Sequence, residues 1–343
     1  MDLSPRKQAV LAAVIKAYIE TGEPIGSKIL NGLMEQAPSP ATLRNEMSEL
    51  CELGFLKQPH TSAGRIPTPR GYRLYVDALM KPPKLSDGEK AFIDFKLNRI
   101  HCDPEQMPAQ AGRILSELTG LPTISFYTAG DAAVKKVELT AISPRAVFLS
   151  LITTDGRARS RMFRCGDGFS EELYNRFCEI ADRSIIGRSL ADLSPAYLQS
   201  VAAQAGIDAL QLLPLLTALF EMAGEIDCRA VDLWGEAYLY RACDTEEAAR
   251  QILSLIGRTD PIADMFESVS DKAAVIFGND TDYKELLPST LIAAGFHGGE
   301  KYRGAVGVIG IGRMPYEQII PGTEYIAQKL TEMMSGAMKD MED

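Results

Sequence analysis

The sequence predicts an α+β multidomain protein: a winged helix-turn-helix at the amino end, then an α/β domain interrupted by an inserted, mainly helical domain. Three observations carry this. Residues 39–80 join a short amphipathic helix to a basic hairpin punctuated by Gly and Pro. Beyond residue 88, β-rich runs stand before and after a long helical stretch. Between these regions, Lys81-Pro82-Pro83-Lys84-Leu85-Ser86-Asp87-Gly88 resists both helix and sheet, which makes it a linker.

The elements follow in order. Ser4 can cap a first helix with Pro5 at its first position, and Val10, Leu11, Val14, Ile15, Tyr18 and Ile19 form one apolar stripe before Gly22 stops it. A second helix is expected from about Ile25 to Glu35, with Ile29, Leu30, Leu33 and Met34 inward and 36–38 as the turn. Ser39 and Pro40 open the third. There Leu43, Met47 and Leu50 share one face, so Ala41, Asn45, Ser48, Glu49 and Glu52 point away from it, flanked by Thr42 and Arg44.

That outer face has the chemistry of a DNA reader. A helix fits the major groove, Arg pairs with guanine, Asn with adenine, and a Thr methyl packs on a thymine methyl. Glu46, Glu49 and Glu52 lie later in the helix, where phosphate repels them, so the amino end should enter the groove. After Gly54, Phe55 to Lys57 read as a strand, 59–64 as a loop and Arg65-Ile66-Pro67 as a short return. Lys57, His60, Arg65, Arg70 and Arg73 then gather near one edge. Thr68-Pro69 opens a following helix that packs the hairpin down through Tyr72, Leu74, Tyr75, Val76 and Leu79. The candidate DNA contacts are Lys28, Ser39, Ala41, Thr42, Arg44, Asn45 and Ser48 on the helices, with Lys57, His60, Thr61, Ser62, Arg65 and Arg73 around the hairpin.

Charge agrees with this placement. Residues 55–81 hold five Lys or Arg against the single acid Asp77, while the whole chain carries a net charge of −10. Residues 1–81 have ten basic and eight acidic side chains, so the rest sums to −12. A chain with a sequence pI near 5.0 thus concentrates its basic surface at the hairpin, as local phosphate contact requires.

Length and pattern set the rest. At about 150 residues per domain, 343 residues make two or three domains. Residues 88–119 read as helical, 137–142 and 146–152 as strands, and Thr154-Asp155-Gly156 as the turn into a strand over 157–165. Residues 169–223 are mostly helical. Strand-like runs return at 237–240, 273–277, 290–296 and 303–309, before an amphipathic helix at 323–338. The expected division is 1–81 for the DNA-binding domain, 82–88 for the linker, 89–167 and 231–343 for the two parts of the α/β domain, and 168–230 for the insert.

Other chemistries find little support. The only histidines are His60, His101 and His297, and no H-x-x-x-H or C-x-x-C spacing offers a zinc site. The cysteines at 51, 102, 165, 178, 228 and 243 are scattered and expected as reduced thiols. No G-x-S-x-G elbow exists. Gly307, Gly310 and Gly312 have the reverse of the G-x-G-x-x-G spacing, which favours turns or strand packing over a nucleotide loop. No catalytic residue, metal or cofactor is expected. Arg6-Lys7 followed by 9–15 mimics a signal peptide, but Lys16 and Glu20 interrupt it; the longest apolar stretch, 209–220, contains Pro214 and is too short to span a bilayer.

Four segments resemble the HrcA family of heat-inducible transcription repressors. They are Tyr-Ile-Glu-Thr-Gly-Glu-Pro-Ile-Gly-Ser-Lys (18–28), Ala-Thr-Leu-Arg-Asn-Glu-Met (41–47), Pro-His-Thr-Ser-Ala-Gly-Arg-Ile-Pro-Thr (59–68) and Gly-Tyr-Arg-Leu-Tyr-Val-Asp (71–77). Residues 307–316 also resemble the family's Gly-Val-x-Gly-Pro-x-Arg-Met-x-Tyr signature, with Ile311-Gly312 where Pro is usual. The resemblance implies that the α/β domain is GAF-like and that its insert is a dimerisation domain. It further implies a cytoplasmic homodimer on double-stranded DNA, at the inverted repeat CIRCE upstream of chaperonin and DnaK operons, kept active by the GroE chaperonin. An alternative is a small-ligand-sensing winged-helix regulator using a GAF-like pocket.

Overall fold

The computed structural model describes residues 3–34, 38–60, 63–81, 84–99, 104–164, 169–204, 206, 209–226, 229–242, 245–267, 269–287, 289–299 and 302–342. The chain is α+β. Its amino-terminal module comprises α1 (Pro5–Thr21), α2 (Ser27–Leu33), α3 (Pro40–Glu52), a hairpin of β1 (Leu56–Lys57) and β2 (Ile66–Pro67), and α4 (Pro69–Leu74), which runs on as one π-helical turn over Tyr75–Leu79.

Local chemistry sets most of these boundaries. The Ser4 hydroxyl accepts from the Lys7 amide with Pro5 at the first position, and Gly22, at φ 74°, donates its N–H to the Tyr18 carbonyl and ends the helix. Val10, Leu11, Val14 and Ile15 are buried against Leu30, Leu43, Met47 and Leu50, with Phe55 and Leu56 closing the core from the hairpin.

The second helix departs from expectation. Ile25 is not helical: its amide donates to the Arg65 carbonyl at 2.9 Å and its carbonyl accepts from the Arg65 amide at 2.8 Å, so it extends the hairpin by one bridge. Pairing to a residue forty positions away overrides local helix preference, and α2 begins only at Ser27. The turn expected at 36–38 lies largely outside the described residues. Of the four inward positions, Leu30 is buried, but Ile29 and Leu33 are each 57% exposed. A helix of two turns presents only one narrow face to the core.

Ser86 caps α5 (Asp87–Leu97) through a reciprocal pair with Glu89, so helix starts inside the expected 82–88 linker. After α6 (Met107–Thr119), β3 (Thr123–Ala129) enters a five-stranded antiparallel sheet. Its other members are β7 (Arg229–Trp234), β8 (Ala274–Phe277), β9 (Ser289–Gly298) and β10 (Tyr302–Ile311), in the order β7-β3-β10-β9-β8. Both faces are covered. Along β10, Val306 and Val308 join α6 and α13 (Tyr316–Glu342), whereas Ala305 and Ile309 meet α11 (Glu246–Ile256) and α12 (Thr259–Glu267). The run at 237–240, expected as a strand, lies within α10 (Glu236–Ala242). The strand at this point of the chain is β7, immediately upstream.

Between β3 and β7 the chain makes an excursion with its own core. β4 (Val134–Ser143), β5 (Ala146–Thr153) and β6 (Ala158–Arg164) form a three-stranded sheet. Val147, Leu149 and Leu151 on β5 pack with Phe177, Leu212, Leu216 and Leu219 from α7 (Glu171–Ser184) and α9 (Ala209–Glu225), joined by Leu198 of α8 (Pro195–Gln204). The boundary expected at 167/168 therefore falls inside this unit: the strands expected in the α/β domain pack with the helices expected in the insert. Alternating burial along β5 gives it one apolar face, and among the described residues these helices pack on that face. The excursion closes at its base, because Thr128 pairs with Arg229 across β3 and β7.

The amino-terminal module packs on the main sheet domain through a continuous apolar core. Tyr72 lies 5.8 Å, ring to ring, from Tyr316. The Tyr75 hydroxyl donates to Glu317 at 2.9 Å, and Lys16 pairs with Glu317 at 3.5 Å.

Candidate nucleic-acid interface

The site is built on the amino end of α3. The Ser39 hydroxyl accepts from the Thr42 amide at 3.2 Å and lies 3.0 Å from the Thr42 hydroxyl, which fixes the first turn with Pro40 at its start. Burying Leu43, Met47 and Leu50 turns Ser39, Ala41, Arg44, Asn45 and Ser48 to the exposed side, with Thr42 half-buried beside them. Positions 41, 44, 45 and 48 stack along one face of the helix.

The acids of α3 behave differently from expectation. Glu46 is only 4% exposed; its carboxylate accepts from Arg6 Nε at 2.6 Å and lies 3.6 Å from Lys7 Nζ. Lys7 also pairs with Glu49 at 2.9 Å, and these carboxylates hold the Lys7 ammonium above its ordinary pKa, first through the Glu49 hydrogen bond. Arg6 and Lys7 of α1 thus neutralise Glu46 and Glu49 of α3. In the sequence Arg6-Lys7 stand out only as a mimic of a signal peptide; the signal for this role is two cations at a capped helix start and a later acidic cluster.

The hairpin brings in a second group. Arg65 and Arg44 line one groove of about 330 Å³ with Ser27 and Gln58. Arg65 does not extend outward: it is half-buried, its Nη1 donates to the Ala63 carbonyl at 3.3 Å, and its guanidinium offsets the rise that burial imposes on the Cys51 thiol pKa. Gly64 is required beside it, because a Cβ there would stand 2.5 Å from the Ile25 backbone. Lys28, at the start of α2, and His60, in the hairpin loop, are exposed. Thr61 and Ser62 lie outside the described residues.

Two expected contacts are placed elsewhere. Arg73 forms an ion pair with Asp280, and its guanidinium lies 5.0 Å from the Phe277 ring centroid, on the sheet domain rather than beside α3. The expectation from sequence distance alone fails here because α4 turns this side chain, still partly exposed, toward the sheet domain. Lys57 lines a cavity between the amino-terminal module and the sheet domain. Arg70 is also engaged, donating to the Leu53 carbonyl at 3.0 Å while lying over the Phe55 ring.

Elsewhere, Gly307 and Gly310 are strand residues of β10, and the next helix starts only at Tyr316. Cys51 and Cys178 are free thiols. Among the described residues no group of three or more His, Cys, Asp or Glu could hold a metal, and no helix is long and apolar enough to cross a membrane.

Comparison with known proteins gives a consistent result. Residues 105–320 match the family described as HrcA protein C terminal domain. The chain is 31% identical to the heat-inducible transcription repressor HrcA of Caulobacter vibrioides, over 98% of this chain and 96% of that one. It is 30% identical to HrcA of Carboxydothermus hydrogenoformans, over 97% and 98%. A crystal structure described as a hypothetical protein at 2.2 Å resolution superimposes with a TM-score of 0.73 at 23% identity, covering 98% of this chain and all of its own, so the fold is shared along the whole length.

Proposed function

Because the chain belongs to the HrcA family of heat-inducible transcription repressors, we propose that it represses by seating the amino end of α3 in the major groove of an operator, as a winged helix-turn-helix. The observation that supports this reading is that the exposed face of α3 carries Ala41, Arg44, Asn45 and Ser48 in its first turns behind a Ser39 cap, with its exposed acids, Glu49 and Glu52, only towards the far end. Arg44 and Asn45 read base edges, Thr42 offers its methyl, and Ser39 with the first-turn amides meets phosphate. Lys28 and His60 supply flanking phosphate contacts. Arg65 acts with Arg44 from their shared groove. Thr61 and Ser62 complete the tip of the wing in this reading, and Lys57 lies at its base.

The main sheet domain is read as GAF-like and the excursion, about 130–228, as the dimerisation domain. Along α9, Leu210, Leu213 and Phe220 are 84%, 38% and 37% exposed and lie on one side of the helix, an apolar stripe that a second copy covers. Two heads related by a two-fold axis match an inverted repeat, here CIRCE upstream of chaperonin and DnaK operons. Linking them raises affinity through effective concentration, so anything that loosens the body releases DNA without touching α3. GroE chaperonin is the partner that returns a heat-loosened body to the binding state. The protein acts in the cytoplasm and performs no catalysis.

The test is fluorescence anisotropy on a CIRCE-containing fragment at fixed salt, with sedimentation velocity on the same samples. Leu210→Glu with Phe220→Glu should convert the dimer to monomer and weaken operator binding by about 10²-fold or more. Operator binding unchanged by Arg44→Ala would sink the role of α3. A dimer unchanged by the paired Glu substitutions would sink that of α9.

A further inference from the structure

The apolar cores divide the chain unevenly. One runs from the amino-terminal module into the sheet domain, through α1, α3, α5, α6, α13 and one face of the sheet, and a second lies under α11 and α12 on the other face. The third belongs to the excursion and shares no residue with either. Apolar packing thus fixes the DNA-reading module to the sheet domain but does not fix the excursion. A unit joined without a large apolar interface turns readily against its neighbour. The expected linker at 82–88 does not supply this freedom, because Ser86 caps α5, and Ile93 and Leu97 of α5 lie in the core shared with the amino-terminal module.

The joint itself is polar. Arg159 on β6 reaches out of the excursion to Glu105, ahead of α6, with Nη1 and Nη2 at 2.8 and 3.3 Å from its two carboxylate oxygens. Nη2 also donates to the Glu225 carbonyl at the end of α9, at 3.1 Å. Both side chains are partly buried, which shields this forked pair from water. At the root, where the chain leaves β3, Arg157 donates to the Gly130 carbonyl. Tyr302 of β10 stands on the sheet side, fully buried, with its ring 6.1 Å from that of Tyr127. Burial, and then the Asp155 charge, push the pKa of its hydroxyl up, and that hydroxyl has no hydrogen-bond partner. An unpaired buried hydroxyl is a standing cost, so the joint is not one in which every polar group is satisfied.

We propose that the base of the excursion is a hinge, latched by Arg159 and Glu105, at which the excursion turns as a rigid body against the rest of the chain. In a dimer held through α9, each reading head moves with its sheet domain. A turn at the hinge therefore changes the distance and angle between the two α3 helices and leaves each α3 intact. With the latch closed the dimer selects one half-site spacing, and with it open the dimer tolerates others. Arg159 and Glu105 are positioning residues, since neither lies at the DNA-reading face. The hinge rests on the separate cores and the polar joint; its effect on the operator rests on the proposed reading of α3 and α9.

Small-angle X-ray scattering on the full chain without DNA tests the hinge. Glu105→Gln and Arg159→Gln each remove one side of the latch, and Arg159→Lys keeps the charge but loses the fork. Circular dichroism confirms folding, sedimentation velocity fixes the oligomeric state, and any one folded variant decides the question. At an unchanged oligomeric state we expect a broader pair-distance distribution and a larger maximum dimension in both Gln variants, with Arg159→Lys between them and wild type. Scattering curves that superimpose on wild type overturn the hinge. Operator anisotropy then tests its consequence, on a fragment whose half-sites are moved apart by about five base pairs, half a helical turn. Wild type should bind that fragment about 10²-fold more weakly than the matched one, and the Gln variants about tenfold more weakly or less. A loosened hinge with wild-type spacing discrimination overturns the link to the operator. A wild-type chain that is monomeric, or that fails to bind the matched fragment, overturns the reading of α9 or α3 and leaves the scattering result standing.

Discussion

Arg73 of α4 pairs with Asp280 in the turn after β8, and this contact places a residue expected at the DNA on the opposite side of its module. Both side chains are just over 40% exposed, so the pair contributes little to stability by itself. What it does is orient. With Tyr75 on Glu317 and Tyr72 against Tyr316, it holds α4 on the sheet domain and leaves α3 on the free side.

Arg73→Ala should therefore keep the salt slope of operator binding. Lys28→Ala should lower that slope by about one phosphate contact, and Arg44→Ala should cost about 1–3 kcal/mol at one base position. Anisotropy titrations across a salt series, with matched and singly mismatched fragments, separate the three. A slope that falls in Arg73→Ala would return this residue to the phosphate-contacting set.

Gly64→Ala tests the bridge between the hairpin and the segment before α2. The added methyl would meet the Ile25 carbonyl carbon and oxygen at 2.5 Å and the Pro24 carbonyl carbon at 2.6 Å. These are backbone atoms that cannot rotate away, so we expect a loss of about 1–3 kcal/mol. Weakened operator binding should accompany the lower Tm, since Arg65 would be displaced from the groove it shares with Arg44. A normal Tm in calorimetry would show that the bridge is dispensable.

The turn joining β5 to β6 holds a buried ion pair. Arg157 and Asp155 are 1% and 4% exposed; Arg157 Nε and Nη2 lie 2.9 and 2.7 Å from the Asp155 carboxylate, and Nη2 donates to the Gly130 carbonyl at 3.3 Å. Arg157→Met strands a buried carboxylate and should cost about 3–5 kcal/mol in urea unfolding. Adding Asp155→Asn should recover part of that loss, because the stranded charge goes with it. No recovery would mean that packing, not charge, sets the cost.

Asp232, on β7, gives a pH signature. Burial alone holds its carboxyl above the usual carboxylate pKa. The folded state therefore keeps its proton to higher pH than the unfolded chain does. Its contribution to stability is greatest below the unfolded value near pH 3.9 and is lost as pH rises through the folded value. At neutral pH the charged form is a net cost. Asp232→Asn should raise Tm at pH 7 and leave it nearly unchanged at acid pH, read by calorimetry across that range. A rise of equal size at both ends would remove titration as the cause.

How much of this was legible in the sequence depends on the range of the interactions. Ser4 with Pro5, Ser39 with Pro40 and the Leu43, Met47, Leu50 spacing specify their helices within a few residues, so α1 and α3 were readable, as were the hairpin and the outward face of α3. Caps, turns and periodicity act locally, and the sequence carries them in full.

The tertiary structure alone decided what depends on distant partners. Ile25 is extended because Arg65 pairs with it, and Arg73 lies on the sheet domain because Asp280 and Phe277 receive it. The strands β4–β6 belong with α7–α9 because those helices, not the main sheet, cover the Val147, Leu149 and Leu151 face. An alternating strand shows that one side is buried but not against what. That choice is made by whichever apolar surface the folded chain brings to it, across separations no local pattern encodes.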